Sequence, residues 1–199
     1  MIEEGVIKFQ CEWVKKAPPL WEEIRGIEGW RRELYERGLI GVYPNGIAFG
    51  NVSGRACRHE GFIISGTQTG GRRRLGVEHY TRVTQYDFGR NTIVCEGPVK
   101  ASSESLTHAM VYEMDRSIEA VIHVHSRALW RRLMHKVPTT AKHVSYGTPE
   151  MAGEVERLYR AGRLRAKRIF VMGGHEEGIV SFGSDPDEAG MVLLHHLEN

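Results

Sequence analysis

The sequence has few cysteines, no long apolar run and almost no excess of charge of either sign. The three cysteines, Cys11, Cys57 and Cys95, are odd in number, widely separated and without a CxxC spacing. We therefore expect no disulfide framework and a reducing, cytoplasmic setting. The longest apolar runs, around Ala120–Val124 and Ile169–Met172, have the length of strands and are far too short to span a membrane.

Charge and the first residues exclude further classes of protein. The formal net charge is only +2, which does not predict nucleic acid or an anionic membrane as a partner. The longest run of one sign is the triplet Arg72–Arg74. The segment Met1–Gly5 carries acidic residues where a secretory signal peptide would carry basic ones. These features favour a protein that acts on a small molecule rather than on nucleic acid or at a membrane.

Length and composition indicate one globular domain over residues 1–199. Hydrophobic residues make up 41% and charged residues 26% of the chain, as in ordinary globular proteins. No internal repeat, low-complexity segment or Ser/Pro-rich linker marks a boundary. A domain of this size buries roughly 70% of the surface of its unfolded chain, which suffices for a core of its own.

Hydrophobic spacing predicts several hairpins followed by alternating helices and strands. Residues 1–20 are expected to be irregular. Predicted helices are Trp21–Arg37, Glu104–Met114, Ala128–His135, Pro149–Leu158 and Asp185–Leu197, the last with Asp185 as its N-cap. Predicted strands are Ile47–Ser53, Phe62–Ser65, Thr81–Asp87, Thr92–Glu96, Glu119–His125, Arg168–Met172 and Gly178–Phe182. This order predicts an α/β fold in which a mixed sheet is flanked by helices.

The strand that ends in His123 and His125 is the most informative segment. Side chains alternate between the two faces of a strand, so Val121, His123 and His125 point to one face. Two imidazoles on one face at a strand end can bind a single zinc ion at about 2.0–2.1 Å. The alternative is a pair of half-exposed histidines on an edge strand.

A third ligand is needed, and His175 is the first candidate. It follows an apolar strand and lies between glycines, in a loop suited to presenting a side chain at the end of a sheet. A solvent-exposed turn histidine is the alternative. His143 also stays open as a ligand. We interpret His59 as a hairpin-turn residue, and His195 and His196 as packing or surface residues.

The segment Ala101–His108 opens a predicted helix. Ser102 or Ser103 as N-cap, with Glu104 in the first turn, is ordinary chemistry for a helix start. The functional alternative is that the start of the helix binds an anion while Glu104 acts as an acid or base. His108, one turn further on, is then placed to orient Glu104 or to act as a ligand.

Two loops rich in small polar residues follow predicted strands. These loops are Gly50–Ser53 and Ser65–Gly71, and their backbone N–H and hydroxyl groups can bind a phosphate. Ordinary hairpin loops have the same composition. Neither loop matches a Walker A or GxGxxG motif.

Taken in order, these motifs resemble those of the class II aldolase/adducin family, and together they cover most of the chain. The resembling segments are Gly50–Ser53, Ile64–Thr67 with Thr69 and Gly70, Ser102–Glu104, Ala120–His125, Gly147–Glu150, and His175 before Gly178.

The resemblance implies a three-layer α/β/α fold with a central mixed, largely antiparallel sheet, and a divalent metal, usually zinc. The implied metal ligands are His123, His125 and His175, and the implied catalytic acid/base is Glu104. The residues implied to bind the substrate phosphate are Asn51, Ser53, Thr67 or Thr69, Gly70, Ser102 and Ser103. Family enzymes are typically homotetramers with sites near subunit interfaces.

The function implied by the resemblance is that of a zinc-dependent lyase. It would cleave a small phosphorylated ketose by a retro-aldol reaction through a metal-stabilised enediolate. A sugar-phosphate dehydratase of the same fold is an alternative that uses the same groups. A non-enzymatic interaction module, like the adducin head, is the contrasting alternative. It predicts loss of the ligands, yet the three histidines and Glu104 are all present.

One loop departs from the family pattern. Members commonly have glycine directly after the third histidine, whereas Glu176 and Glu177 stand between His175 and Gly178 here. The departure predicts a reshaped loop that brings an extra carboxylate towards the metal or the substrate.

Overall fold

A computed structural model describes residues 7–56 and 61–198. Cys57 and His59 lie outside these ranges, so the expectations for them are not addressed by the structure. Among the described residues, no helix is both long and apolar enough to cross a membrane.

Six helices and ten strands are described. The helices are α1 (Trp21–Glu36), α2 (Ser105–Met114), α3 (Arg127–Leu133), α4 (Pro149–Arg160), α5 (Arg163–Lys167) and α6 (Pro186–Glu198), with a 3₁₀ turn at Val77–His79. The strands are β1 (Gln10–Val14), β2 (Gly41–Val42), β3 (Ala48–Phe49), β4 (Asn51–Arg55), β5 (Phe62–Ser65), β6 (Tyr80–Asp87), β7 (Thr92–Glu96), β8 (Ala120–His125), β9 (Ile169–Val171) and β10 (Gly178–Gly183).

Eight strands form one mixed sheet in the order β1-β7-β6-β5-β4-β8-β10-β9. Only the β1–β7 pair in this sheet is parallel, and the remaining neighbours are antiparallel. Strands β2 and β3 form a separate small hairpin. The predicted mixed, largely antiparallel sheet is therefore confirmed.

Helices cover both faces of this sheet, as a three-layer fold requires. On one face, the apolar residues of α2 and α4, such as Leu106 and Met151, pack with Val121 of β8. On the other face, residues of α1 and α6, such as Ile24 and Leu193, pack with the alternate β8 residues Ala120, Ile122 and Val124. The alternation of β8 thus separates two hydrophobic cores, and it places His123 and His125 on the α2/α4 side.

Most predicted elements are found with ends shifted by one or two residues, and Phe62–Ser65 and Thr92–Glu96 match throughout. Asp185 caps α6 as expected, because its Oδ1 accepts the backbone N–H of Glu188 at 2.7 Å. Residues 1–20 are not wholly irregular, since β1 pairs with β7. A signal for β1 was present but was overlooked, because the apolar residues Phe9, Cys11 and Trp13 alternate with the polar residues Gln10 and Glu12.

The prediction of one strand over Ile47–Ser53 is wrong. Gly50 adopts a left-handed conformation with φ of +77°, which ends β3 and redirects the chain into β4. A Cβ atom at this position would lie 2.7 Å from Cγ1 of Ile40. Gly50 therefore supplies both the turn and the close approach that join the small hairpin to the main sheet.

We expect Gly50→Ala to lower the free energy of unfolding more than Gly46→Ala does. Both glycines have positive φ, but a Cβ at Gly46 meets open space. The control should lose about 1–2 kcal/mol through backbone strain. Gly50→Ala should lose roughly 1–3 kcal/mol more because of the overlap with Ile40. Urea unfolding of the two variants measures the difference, and equal losses would contradict the role given to the Ile40 contact.

Candidate metal and substrate site

The strand β8 lies in the middle of the sheet, between β4 and β10. His123 pairs with Asn51 on one side and Val180 on the other, and both His123 and His125 are buried. This placement excludes the half-exposed pair on an edge strand. The two side chains enter the same enclosed space at the end of β8, with ring centroids 4.9 Å apart.

His175 reaches this space from the turn between β9 and β10. The turn is held by backbone bonds from His175 N–H to the Met172 carbonyl and from Gly178 N–H to the His175 carbonyl, at 3.2 and 2.9 Å. His175 is only 4% exposed, so the alternative of a solvent-exposed turn histidine is excluded. Its Nε2 lies 3.1 Å from Nε2 of His125. His143 is exposed and lies outside the cluster.

The three imidazoles fit a metal ion on both geometry and charge. One ligand nitrogen from each of His123, His125 and His175 lies within 4.8 Å of the others. Two nitrogens bound tetrahedrally to one zinc ion at about 2.0–2.1 Å are about 3.3 Å apart, close to the spacing of His125 and His175. Nε2 of His123 is buried without a hydrogen-bond partner among the described residues, as expected of an atom that binds a metal ion.

Burial keeps these rings in the form that binds metal. Desolvation lowers the pKa of His123 to about 3. It also lowers the pKa of His125 and of His175 well below the usual range, with a further contribution from His123. The imidazoles are therefore neutral at neutral pH, and a neutral nitrogen has the lone pair that a metal requires.

Glu104 stands at the start of α2, beside the histidines. The expected N-cap, Ser102 or Ser103, is wrong: α2 begins at Ser105, and Glu104 takes the capping position without a capping bond from its side chain. The Ser102 carbonyl instead accepts both the backbone N–H and the hydroxyl of Ser105, at 3.1 and 2.7 Å. The Glu104 side chain therefore makes no capping bond to the backbone of α2.

The carboxyl group of Glu104 is buried, and only one of its two oxygens has a hydrogen-bond partner among the described residues. Its Oε2 accepts the hydroxyl of Thr107 at 2.8 Å, while Oε1 has no hydrogen-bond partner among the described residues and lies 3.6 Å from Nε2 of His175. Desolvation raises the pKa of Glu104 to about 7, against the opposing effects of the Thr107 bond and the charge of Lys8. Near neutral pH, this group can therefore both accept and release a proton.

His108 neither orients the Glu104 carboxylate nor joins the metal cluster. Its Nδ1 lies 2.7 Å from Oγ of Ser53, which also contacts the hydroxyl of Tyr112 at 2.8 Å. Ser53 is thus held in a buried polar group further along β4. Its expected role in phosphate binding stays a prediction.

The other residues expected to bind phosphate come together around a small cavity. It has a volume of about 20 Å³. Its lining includes Asn51, Thr67, Thr69, Gly70, Ser102 and Ser103. The hydroxyl of Thr69 donates to the Gly66 carbonyl at 2.7 Å, so it is committed to the shape of the loop. Thr67 is therefore the better-placed hydroxyl for a ligand, and of the expected phosphate-binding residues only Ser53 lies away from this cavity.

Two buried charged residues of α1 hold this loop, and sequence reasoning missed both. Arg31, 1% exposed, donates from Nη2 to the carbonyls of Thr69 and Gly70 at 3.2 and 2.9 Å. Glu28 accepts the backbone N–H of Leu75 and the hydroxyl of Tyr80. A signal was present: Glu28 and Arg31 fall on the same helical stripe as the buried apolar residues of α1.

The two glutamates after His175 pair with Arg127 outside the histidine cluster. Oε1 of Glu176 lies 3.3 Å from Nη2 of Arg127, and Oε1 of Glu177 accepts Nε–H of Arg127 at 2.9 Å. Neither carboxylate joins the three-histidine cluster. The reshaping of the loop relative to the family stays a prediction.

The raised pKa of Glu104 predicts a pH-dependent effect of Glu104→Gln on the metal-free protein. A raised folded-state pKa gives stability that is complete below the unfolded value of about 4.5 and is lost as the pH rises through about 7. Glutamine does not titrate, so the stability of the variant relative to the original should rise by about 2–3 kcal/mol between pH 5 and pH 8. Urea unfolding in a chelator measures this, and a difference that is flat with pH would contradict the burial cost.

Comparison with solved structures finds the same fold in several class II aldolases. The L-fuculose-1-phosphate aldolase from Thermus thermophilus is 23% identical, with a TM-score of 0.68 over 90% of this chain and 91% of that one. A sugar-phosphate aldolase from Thermotoga maritima is 20% identical, with a TM-score of 0.61 over 88% and 91% of the two chains. The N-terminal class II aldolase domain of a conserved protein from Thermoplasma acidophilum is 14% identical, with a TM-score of 0.62 over 94% and 96%.

Comparison with curated protein sequences finds no match. The family model of the Class II Aldolase and Adducin N-terminal domain, however, matches residues 30–199. That range contains all the motifs that carry the resemblance, from Gly50 to His175. The chain therefore belongs to the class II aldolase and adducin N-terminal domain family.

Proposed function

We propose that the protein is a zinc-dependent lyase that cleaves a small phosphorylated ketose by a retro-aldol reaction. The observation that carries the proposal is the position of Oε1 of Glu104. This buried atom has no hydrogen-bond partner among the described residues and lies 3.6 Å from Nε2 of His175. A carboxyl group that titrates near neutral pH beside a metal-ligating cluster is a typical arrangement for proton transfer.

The histidines and Glu104 divide the work between them. His123, His125 and His175 would hold the zinc ion, which when bound supplies Lewis-acid polarisation of the ketose carbonyl. In retro-aldol cleavage, one proton leaves a hydroxyl group and another adds to the enediolate carbon. We assign both transfers to Oε1 of Glu104, because this buried carboxylate oxygen has no hydrogen-bond partner among the described residues and lies beside a proposed metal ligand, 3.6 Å from Nε2 of His175.

The polar groups at the mouth of the small cavity, which itself holds about one water molecule, are proposed to bind the phosphate. Thr67, Gly70, Ser102 and Ser103 offer hydroxyl and backbone N–H donors around it, and Asn51 connects it to the histidines. Arg31 donates to two carbonyls of the loop, so its proposed role is to stabilise the loop's conformation without contacting the ligand. Binding energy from the phosphate would hold the reacting carbons in register with Glu104. We also propose that Ser53 contributes to phosphate binding, that the protein is cytoplasmic and that it assembles as a homotetramer.

We expect His123→Ala or His125→Ala to abolish stoichiometric zinc binding. Each change removes one of three ligands, and the two imidazoles that remain cannot complete the site. His143→Ala is the matched control, because that histidine is exposed and outside the cluster. Metal content after zinc loading and desalting is measured by inductively coupled plasma mass spectrometry. Full zinc content in both ligand variants would rule out this site.

We expect Glu104→Gln to retain zinc but to lose about 10²–10⁴-fold in turnover, because glutamine cannot transfer a proton. Zinc-loaded protein is incubated with a panel of phosphorylated ketoses, and the products are followed by mass. Triose products indicate aldol cleavage, whereas loss of water indicates the dehydratase alternative. Undiminished turnover in Glu104→Gln would disprove the assigned proton transfer, and a panel left intact by the zinc-loaded original would disprove the proposed substrate class.

A further inference from the structure

The acidic turn after His175 places a carboxylate behind the metal cluster, on the far side of His125. Glu177 adopts φ of +74°, a left-handed conformation that is costly for a residue with a side chain. Three contacts hold it there. Its carbonyl accepts the backbone N–H of Ser126 at 3.0 Å, and its two carboxylate oxygens bind Arg127 and Tyr43.

A short chain of hydrogen bonds leads from this carboxylate to the ligand. The Tyr43 hydroxyl donates to Oε2 of Glu177 at 2.7 Å and lies 2.8 Å from Nδ1 of His125. On the opposite side of the ring, Nε2 of His125 faces Nε2 of His175 at 3.1 Å. The two nitrogens of His125 therefore have different partners: a tyrosine outside the cluster and the cluster itself.

The direction of these bonds follows from the donors and acceptors. An ionised carboxylate only accepts, so the one hydroxyl hydrogen of Tyr43 is directed to Glu177. The tyrosine oxygen then presents a lone pair to His125, and Nδ1 of His125 must carry the proton that fills it. A neutral imidazole has one N–H, so its Nε2 is left with the lone pair.

Packing fixes the tyrosine in this position. Tyr43 begins the turn of the β2–β3 hairpin, where its backbone N–H donates to the Ile47 carbonyl at 2.9 Å. Its ring centroid lies 4.5 Å from that of Phe49, which lies 5.4 Å from that of His125. The hydroxyl is thus carried by a rigid ring rather than by a flexible side chain.

We propose that Glu177, acting through Tyr43, is a positioning residue that holds His125 with its proton on Nδ1 and its lone pair on Nε2, towards the metal. The proposal deepens the proposed function and rests on its metal site. It assigns a role to Glu177, one of the two acidic residues that stand between His175 and Gly178. Partners of this kind orient a ligand and raise its basicity, and their loss typically weakens metal binding about 10–100-fold.

The first test reads the tautomer in the metal-free protein. Nitrogen chemical shifts of ¹⁵N-labelled histidines distinguish Nδ1–H from Nε2–H. His125 should be in the Nδ1–H form in the original protein and should shift towards a mixture in Tyr43→Phe. An Nε2–H tautomer in the original, or one that Tyr43→Phe leaves unchanged, would overturn the proposal.

The second test measures the dissociation constant for zinc by competition with a chromophoric chelator. Tyr43→Phe and Glu177→Ala should each weaken zinc binding about 10–100-fold. The double variant should bind zinc about as tightly as the single variant with the lower affinity, because both substitutions interrupt the same chain of hydrogen bonds. Glu176→Ala is the matched control. It removes the same charge beside the same arginine, and the carboxylate that it removes pairs with Arg127, so the zinc affinity of this variant should be unchanged.

Several outcomes separate this inference from the proposed function. If the original protein bound no zinc, the proposed function would fail and the inference with it. If the original bound zinc and both variants bound it equally well, the inference alone would fail. An effect of Glu176→Ala as large as that of Glu177→Ala would assign the change to charge rather than to the tyrosine. Thermal unfolding confirms that each variant is folded, and Tyr43→Phe, which alters no backbone, keeps the test valid if Glu177→Ala does not fold.

Discussion

The site is governed by the cost of removing ionisable groups from water. Four such groups, the three cluster histidines and Glu104, are almost completely buried within a few ångströms of one another. Desolvation favours the neutral form of each, so it lowers the pKa of the histidines and raises that of Glu104. The same physical effect therefore favours neutral imidazoles, as the proposed metal site requires, and a protonated Glu104, as the proposed proton transfer requires. A divalent cation at the histidines would favour the ionised carboxylate, so the raised pKa describes the metal-free protein.

A second set of buried charged residues, Arg31 and Glu28, stabilises the polar loop and is not part of the histidine cluster. Arg31 and Glu28 direct their hydrogen bonds to backbone groups of the segment from Thr69 to Leu75 and to Tyr80. Arg31 binds only carbonyl groups of this loop, so its hydrogen bonds use none of the N–H or hydroxyl donors that a phosphate would need. Because these bonds are made in a buried setting, the loop is fixed before any ligand arrives. The two sets of buried groups thus have separate proposed roles. The histidines and Glu104 would bind the metal and transfer protons, whereas Arg31 and Glu28 stabilise the conformation of the polar loop.

The sequence predicted those features that depend on local periodicity or on single residue types. The alternation in β8 was enough to place His123 and His125 on one face, and the capping role of Asp185 needed only its neighbours. What it did not predict depends on distant partners. The parallel pairing of β1 with β7 joins segments far apart in the chain. The position of Arg31 on the apolar stripe of α1 signals its burial, but the loop that it binds lies far along the chain. The Tyr43–His125 contact likewise joins residues far apart in the chain, and no short motif encodes it.

The break at Gly50, where the sequence pattern predicts continuous strand, connects these observations. In the antiparallel register of β4 and β8, Asn51 stands opposite His123, so an unbroken strand would place Phe49 opposite His125. The chain turns away at Gly50 instead, and the backbone N–H of His125 is bound by the carbonyl of Leu39. The diverted hairpin then places the Tyr43 hydroxyl beside Nδ1 of His125, while the side-chain nitrogen Nδ2 of Asn51 lies 3.3 Å from Nδ1 of His123. One left-handed residue thus lets two neighbouring segments supply separate outer partners to two candidate metal ligands that are only two positions apart.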